Sequence, residues 1–170
     1  MAGEIVNRVA RSSLVTIDLE DYYPGGERLV FDLKDWLWEG LVLREQEFRT
    51  AVKTHDWSKY TGTYVALTCS TEAIIPAWAY MLVSVNLEPF AKHVTIGSLN
   101  DLESSLYQDI INGLDLEPFR GKPLIIKGCT NKPVPSNAYV FLINKLKTVA
   151  RSIQYGEACS SVPLYKSQKK

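Results

Sequence analysis

Three thiols carry the chemistry that this sequence could perform: Cys69, Cys129 and Cys159. Thiolates are soft ligands, and three of them with one further donor suit Zn²⁺ or an iron–sulfur cluster. No C-x-x-C pair is present, so the spacing matches no zinc-finger pattern. Glu72 and Glu157 are the carboxylates placed to complete a shell, or to act as a general base. Lys127 and Lys132 lie near Cys129 in the chain and favour thiolates or an anionic ligand. A thiol enzyme with Cys129 as nucleophile is the alternative, and buried cysteines acting as small hydrophobes are the plain structural one. Tyr80 and Tyr139 fit a helix core better than a catalytic role.

The thiols can meet only if the elements around them bring them to one edge. Sliding the chain by 59 positions without gaps lays residues 56–97 on 115–156 with nine identical pairs, among them Gly62/Gly121, Pro76/Pro135, Tyr80/Tyr139 and Gly97/Gly156. Each copy reads strand, loop, helix, strand. Tyr64 to Thr68 and Leu124 to Lys127 are apolar runs of buried parallel-strand type. Each helix opens near a proline, which the first turn tolerates. His93 to Ile96 and Ser152 to Tyr155 are the returning strands. Leu102 to Asn112 forms a helix between the copies, opened by an Asn100-Asp101 cap and closed by Gly113. Cys69 and Cys129 then follow the first strands of the two copies, and Cys159 follows the last strand. All three stand at strand carboxyl ends, where open α/β sheets bind ligands. If the copies pack outward from the middle of one sheet, their first strands are neighbours about 4.8 Å apart, with Cys69 and Cys129 flanking a topological switch point. His93 begins a strand and His55 precedes one, so both are read as non-ligands at the opposite edge.

The N-terminal third alternates in character over Leu14–Leu19 and Arg28–Leu33, with a Pro-Gly-Gly turn signal between, and reads as an antiparallel hairpin within residues 12–34. Leu43 to Thr54 reads as a helix with Phe48, Ala51 and Val52 on one face. The fold class is therefore α/β: a layered sheet with a mostly parallel core of two repeated β-α-β units and an N-terminal antiparallel hairpin. The 170 residues fit a single domain, 1–170, with one core. Lys plus Arg and Asp plus Glu are both 19, so no net field attracts nucleic acid or an acidic membrane. No signal peptide is visible, and the apolar run from Ala73 to Val83 is too short to cross a bilayer. A cytoplasmic protein with reduced thiols is expected. G-x-G-x-x-G, Walker, G-x-S-x-G and H-E-x-x-H motifs are absent, which argues against familiar nucleotide-dependent chemistry. An interaction domain without chemistry is the remaining alternative. It would use the aromatic surface around Trp36 and Trp38 to bind a partner or form a homodimer.

Several segments together resemble one family. They are Ile5-Val-Asn-Arg8, Asp18-Leu-Glu-Asp-Tyr-Tyr23, Phe31-Asp-Leu-Lys-Asp-Trp36, Tyr64-Val-Ala-Leu-Thr-Cys69, Lys127-Gly-Cys129 with Pro133-Val-Pro135, and Tyr155-Gly-Glu-Ala-Cys-Ser-Ser-Val-Pro163. They are similar to the bacterial family catalogued as domain of unknown function 2480, over nearly the whole chain. The resemblance brings no established activity. It implies a neighbourhood with iron–sulfur cluster assembly, and hence iron–sulfur assembly proteins as partners.

Overall fold

The computed structural model describes residues 14–128, 131–157 and 159–168. The protein is α/β and mostly parallel, with four α-helices and two sheets among the described residues. In chain order the elements are β1 (Val15–Ile17), β2 (Arg28–Asp32), α1 (Glu45–Thr54), β3 (Tyr64–Thr68), α2 (Ala77–Leu87), β4 (His93–Ile96), α3 (Leu99–Asn112), β5 (Pro123–Ile126), α4 (Ser136–Leu146), β6 (Ser152–Glu157) and β7 (Ser160–Lys166). Two compact units emerge, Pro24–Leu106 and Met1–Tyr23 with Tyr107–Lys170.

The unit Pro24–Leu106 holds the three-stranded sheet in the order β2-β3-β4, all parallel. Phe31, Val65 and Leu67 pack one face against Phe48 and Val52 of α1 and Ala79, Val83 and Leu87 of α2. Tyr64 and Ala66, pointing the other way as strand periodicity requires, meet Leu102 and Leu106 of α3. The second unit holds the four-stranded sheet β1-β5-β6-β7, parallel except for the antiparallel β6–β7 pair. Its core joins Ile17, Leu124, Ile126 and Ile153 to Tyr107 and Ile111 of α3 and to Ala138, Leu142 and Leu146 of α4. The buried hydrophobic residues thus fall into three clusters, two of them in the unit Pro24–Leu106.

The repeat is realised with its 59-residue offset. Helix α2 maps onto α4 end for end, and β4 and β6 begin at equivalent residues. Gly62 and Gly121 both hold positive φ, at 74° and 67°, as do Gly97 and Gly156 at 132° and 118°. The offset also reaches further upstream than the sequence comparison traced. Phe48 and Val52 of α1 fill the same role as Tyr107 and Ile111 of α3. Each unit thus runs strand, helix, strand, helix, strand, and the second adds β7.

Three expectations are corrected. The first two strands do not form a hairpin: β1 pairs with β5 and β2 with β3, both parallel. A period-two pattern marks a strand but not its partner. The Pro-Gly-Gly segment lies where the chain leaves one unit and enters the other, after a 3-10 turn at Leu19–Tyr22. Second, the first strands of the two copies, β3 and β5, are not neighbours, because they lie in separate sheets. Each sheet runs in simple sequence order with no reversal, so neither contains a topological switch point. Third, α3 begins at Leu99 under a Ser98 cap. The Asp101 amide donates to Ser98 Oγ (3.2 Å) while Ser98 N–H donates to Asp101 Oδ2 (2.7 Å), a reciprocal arrangement of capping-box type.

The aromatic N-terminal surface is also partly internal. Trp36 packs edge-on to Phe31 at 4.9 Å and to Phe48 at 5.6 Å. Trp38 stays exposed, with the Arg44 guanidinium 3.9 Å above its ring.

Candidate functional site

Both sheets end on an aspartate that acts on the segment after the central strand. In the three-stranded sheet Asp32 closes β2 opposite Thr68. Its Oδ1 accepts from Lys34 N–H and from Ser70 N–H, both at 3.0 Å. Burial works against its charge, and the hydrogen bonds from Ser70 and Lys34 outweigh that, so the carboxyl sits below the usual range. Ser70 follows Cys69 directly, so the carboxylate anchors the backbone beside this thiol. Cys69 is half-buried against the core of its unit, with Sγ 3.3 Å from Thr71 Oγ1. Burial and then the neighbouring Cys69 and Asp32 raise the Tyr80 pKa. Glu72 is exposed in the loop that follows.

In the four-stranded sheet the equivalent aspartate is Asp18, one residue past β1. Its Oδ1 accepts from Glu20 N–H at 3.0 Å, and its Oδ2 accepts from Lys127 Nζ at 2.7 Å. The hydrogen bond to Lys127 is the main cause of its lowered pKa. Lys127 is raised in turn, first by Asp18 and less by Glu157 and Glu20. Cys129 lies outside the described residues, but both flanks of its loop are described and held. Lys127 N–H donates to Ile17 O at 2.9 Å. Tyr155 OH donates to Gly128 O at 3.3 Å. A Cβ at position 128 would come 2.9 Å from the Tyr155 ring, so a side chain there would push the ring aside. On the far side, Glu20 Oε1 accepts from the backbone N–H of Asn131, and from that of Lys132 at 3.2 Å. Lys132 Nζ lies 5.2 Å over the Tyr23 ring. Cys159 is exposed in the turn between β6 and β7, two residues after Glu157, the exposed last residue of β6. Strand β6 is the direct neighbour of β5, with Tyr155 opposite Ile126.

Glu157 and Cys159 therefore share an edge with the strand that leads into the Cys129 loop, while Cys69 and Glu72 follow the central strand of the other sheet. Among the described residues, no three or more His, Cys, Asp or Glu side chains are arranged to hold a metal. His55 lies in the aromatic cluster, 4.7 Å from Trp57 and 5.1 Å from Trp36. Its Nε2 is 3.2 Å from Tyr60 OH. His93 opens β4, with Nε2 2.8 Å from Ser105 Oγ.

Sequence reasoning missed Asp18, Asp32, Glu20 and Tyr155. A signal for the aspartates existed: Asp18-Leu-Glu-Asp21 and Asp32-Leu-Lys-Asp35 are the same motif twice. Set against the 59-residue repeat, it marks one such strand for each copy.

Fold and site together define an α/β protein of two repeated units, each with an aspartate at the carboxyl edge of its sheet bonded to the residues that follow the neighbouring strand. The family model described as protein of unknown function (DUF2480) matches residues 3–167, nearly the whole chain, and the chain belongs to this family. No curated protein and no solved structure matches it. No helix among the described residues is long and apolar enough to cross a membrane.

Proposed function

We propose that the carboxyl edge of the four-stranded sheet is a thiolate site for zinc or for iron as an iron–sulfur cluster. Cys129 and Cys159 are its sulfur ligands and Glu157 is an oxygen donor. The observation that supports this is the double grip on the Cys129 loop. Asp18, Glu20 and Tyr155 hold its two flanks, while the next strand of the sheet leads through Glu157 to Cys159. Soft thiolates with a carboxylate suit zinc or iron, and remaining positions would be filled by solvent or a partner group. Cys69 and Glu72, on the other sheet, are not required. Iron with acid-labile sulfide would point to iron–sulfur assembly proteins as partners.

The test is metal and sulfide analysis of the full chain purified without oxygen. About one equivalent of zinc or iron is expected in the wild type and in Cys69→Ser, and loss is expected in Cys129→Ser and Cys159→Ser. Metal retained by the double variant Cys129→Ser/Cys159→Ser, or absent from the wild type after reconstitution, refutes the assignment. A thiol catalyst with Cys129 as nucleophile is the second reading. It is favoured by the sequence, in which Lys127 stands two residues before Cys129. Absence of metal together with selective alkylation of Cys129 would support it.

A further inference from the structure

The two units differ at one place where the repeat should make them alike. In the four-stranded sheet the outer edge of β6 is covered by β7, which pairs with it antiparallel from Ser152 to Glu157. The equivalent strand β4 pairs with β3 on one side and with no strand on the other, among the described residues. An open strand edge is a template for another strand.

The helix beside that edge differs in the same sense. Helix α4 carries Ser136, Asn137, Asn144 and Lys145; at the equivalent positions α2 carries Ala77, Trp78, Val85 and Asn86. From Ala77 to Leu87, α2 has no charged residue, and an all-round apolar helix is ordinarily covered. Yet Met81 is 65% exposed and Val85 70%, and Ile96 of β4 beside them is 58% exposed. With Leu67, Tyr80, Ser84 and Val94 they line a groove along the open edge. The unit whose edge is covered has the polar helix, and the unit whose edge is open has the apolar one.

We infer that β4 and α2 form a two-fold interface with a second copy of this chain, β4 pairing antiparallel with its counterpart. Three features select this occupant. The β6–β7 pair shows that the repeat's edge at this position accepts an antiparallel strand. A two-fold contact sets a patch against itself, so a charge near the axis would meet its like, and α2 and β4 contain no Asp, Glu, Lys or Arg. Finally, an axis normal to the sheet through Thr95 puts Val94 opposite Ile96 of the other copy. Both α2 helices then lie on one face, and Met81 and Val85 of each copy are covered. The interface lies wholly within Pro24–Leu106 and does not depend on the thiol site.

The experiment is sedimentation equilibrium of the full chain across a dilution series, with circular dichroism of each variant. Wild type should sediment at twice the 19.2 kDa chain mass. Met81→Asp and Val85→Asp should sediment as monomers with an unchanged spectrum. Val140→Asp, at the exposed α4 position equivalent to Met81, should remain dimeric. A monomeric wild type, or a dimer that persists in both folded α2 variants, overturns the interface. Hydrogen exchange of the wild type keeps the test decisive should the variants fail to fold. Protection of the β4 amides must rise with protein concentration, and concentration-independent exchange overturns the proposal.

Discussion

Replacing Asp32 separates two functions of one carboxylate oxygen. Oδ1 caps the short 3-10 turn Leu33–Trp36 through Lys34 N–H and anchors Ser70 N–H, both at 3.0 Å. Loss of a cap costs about 1 kcal/mol. The bond to Ser70 is charge-assisted, but Ser70 is exposed and water replaces the lost partner, so it contributes about 1 kcal/mol, below the usual range for bonds to charged groups. The ion pair to Lys34 is at the surface, at 3.5 Å with Lys34 45% exposed, and adds little. Asp32→Ala should therefore cost about 2 kcal/mol, or roughly 4–8 °C in Tm for a chain of this size. Asp32→Asn keeps an acceptor oxygen and should cost about 1 kcal/mol or less. The pKa of Asp32 is lowered in the fold. Its stabilisation is then complete above the unfolded value near 3.9, and is lost as pH falls through the folded value. Urea unfolding at neutral pH and below pH 3 tests both points. The gap between wild type and Asp32→Asn should close in acid. Alkylation of Cys69 should quicken in folded Asp32→Ala, because the backbone beside the thiol is released. A cost for Asp32→Ala indistinguishable from zero at neutral pH, or a gap that persists unchanged in acid, would refute this account.

Two further outcomes follow from the cores. His55 is held neutral by burial, with Lys59 adding to the effect, so its pKa is lowered. Below the unfolded value near 6.5 the unfolded chain takes up a proton that the folded chain resists, so stability should fall between pH 7 and 5. Histidine NMR titration checks the shift, and His55→Phe should flatten that part of the stability profile. Leu87 and Leu146 are equivalent in the two copies and both fully buried. Each Leu→Ala change should cost about 2–5 kcal/mol in urea unfolding, and a cost under 1 kcal/mol at either position would contradict the matched packing.

The sequence by itself determined the elements and their repetition. Apolar runs of four or five residues could only be buried parallel strands once helices separated them. The 59-residue offset is visible because Gly62/Gly121 and Gly97/Gly156 need positive φ at the same points of each copy, where other residues are strained. Strand direction also placed His93 at an entrance and the cysteines after exits without any coordinates. Which strands pair was a decision of the tertiary structure. The alternation in β1 and β2 satisfies a hairpin and a parallel sheet edge equally well, since side-chain period is blind to the partner's direction. Only packing resolved it: Ile17 is buried with Leu124 and Ile126, whereas Phe31 is buried with Val65 and Leu67. That choice gave the chain two sheets, put Cys69 on one and Lys127 with Cys159 on the other, and, among the described residues, left β4 with an open edge where β6 has β7.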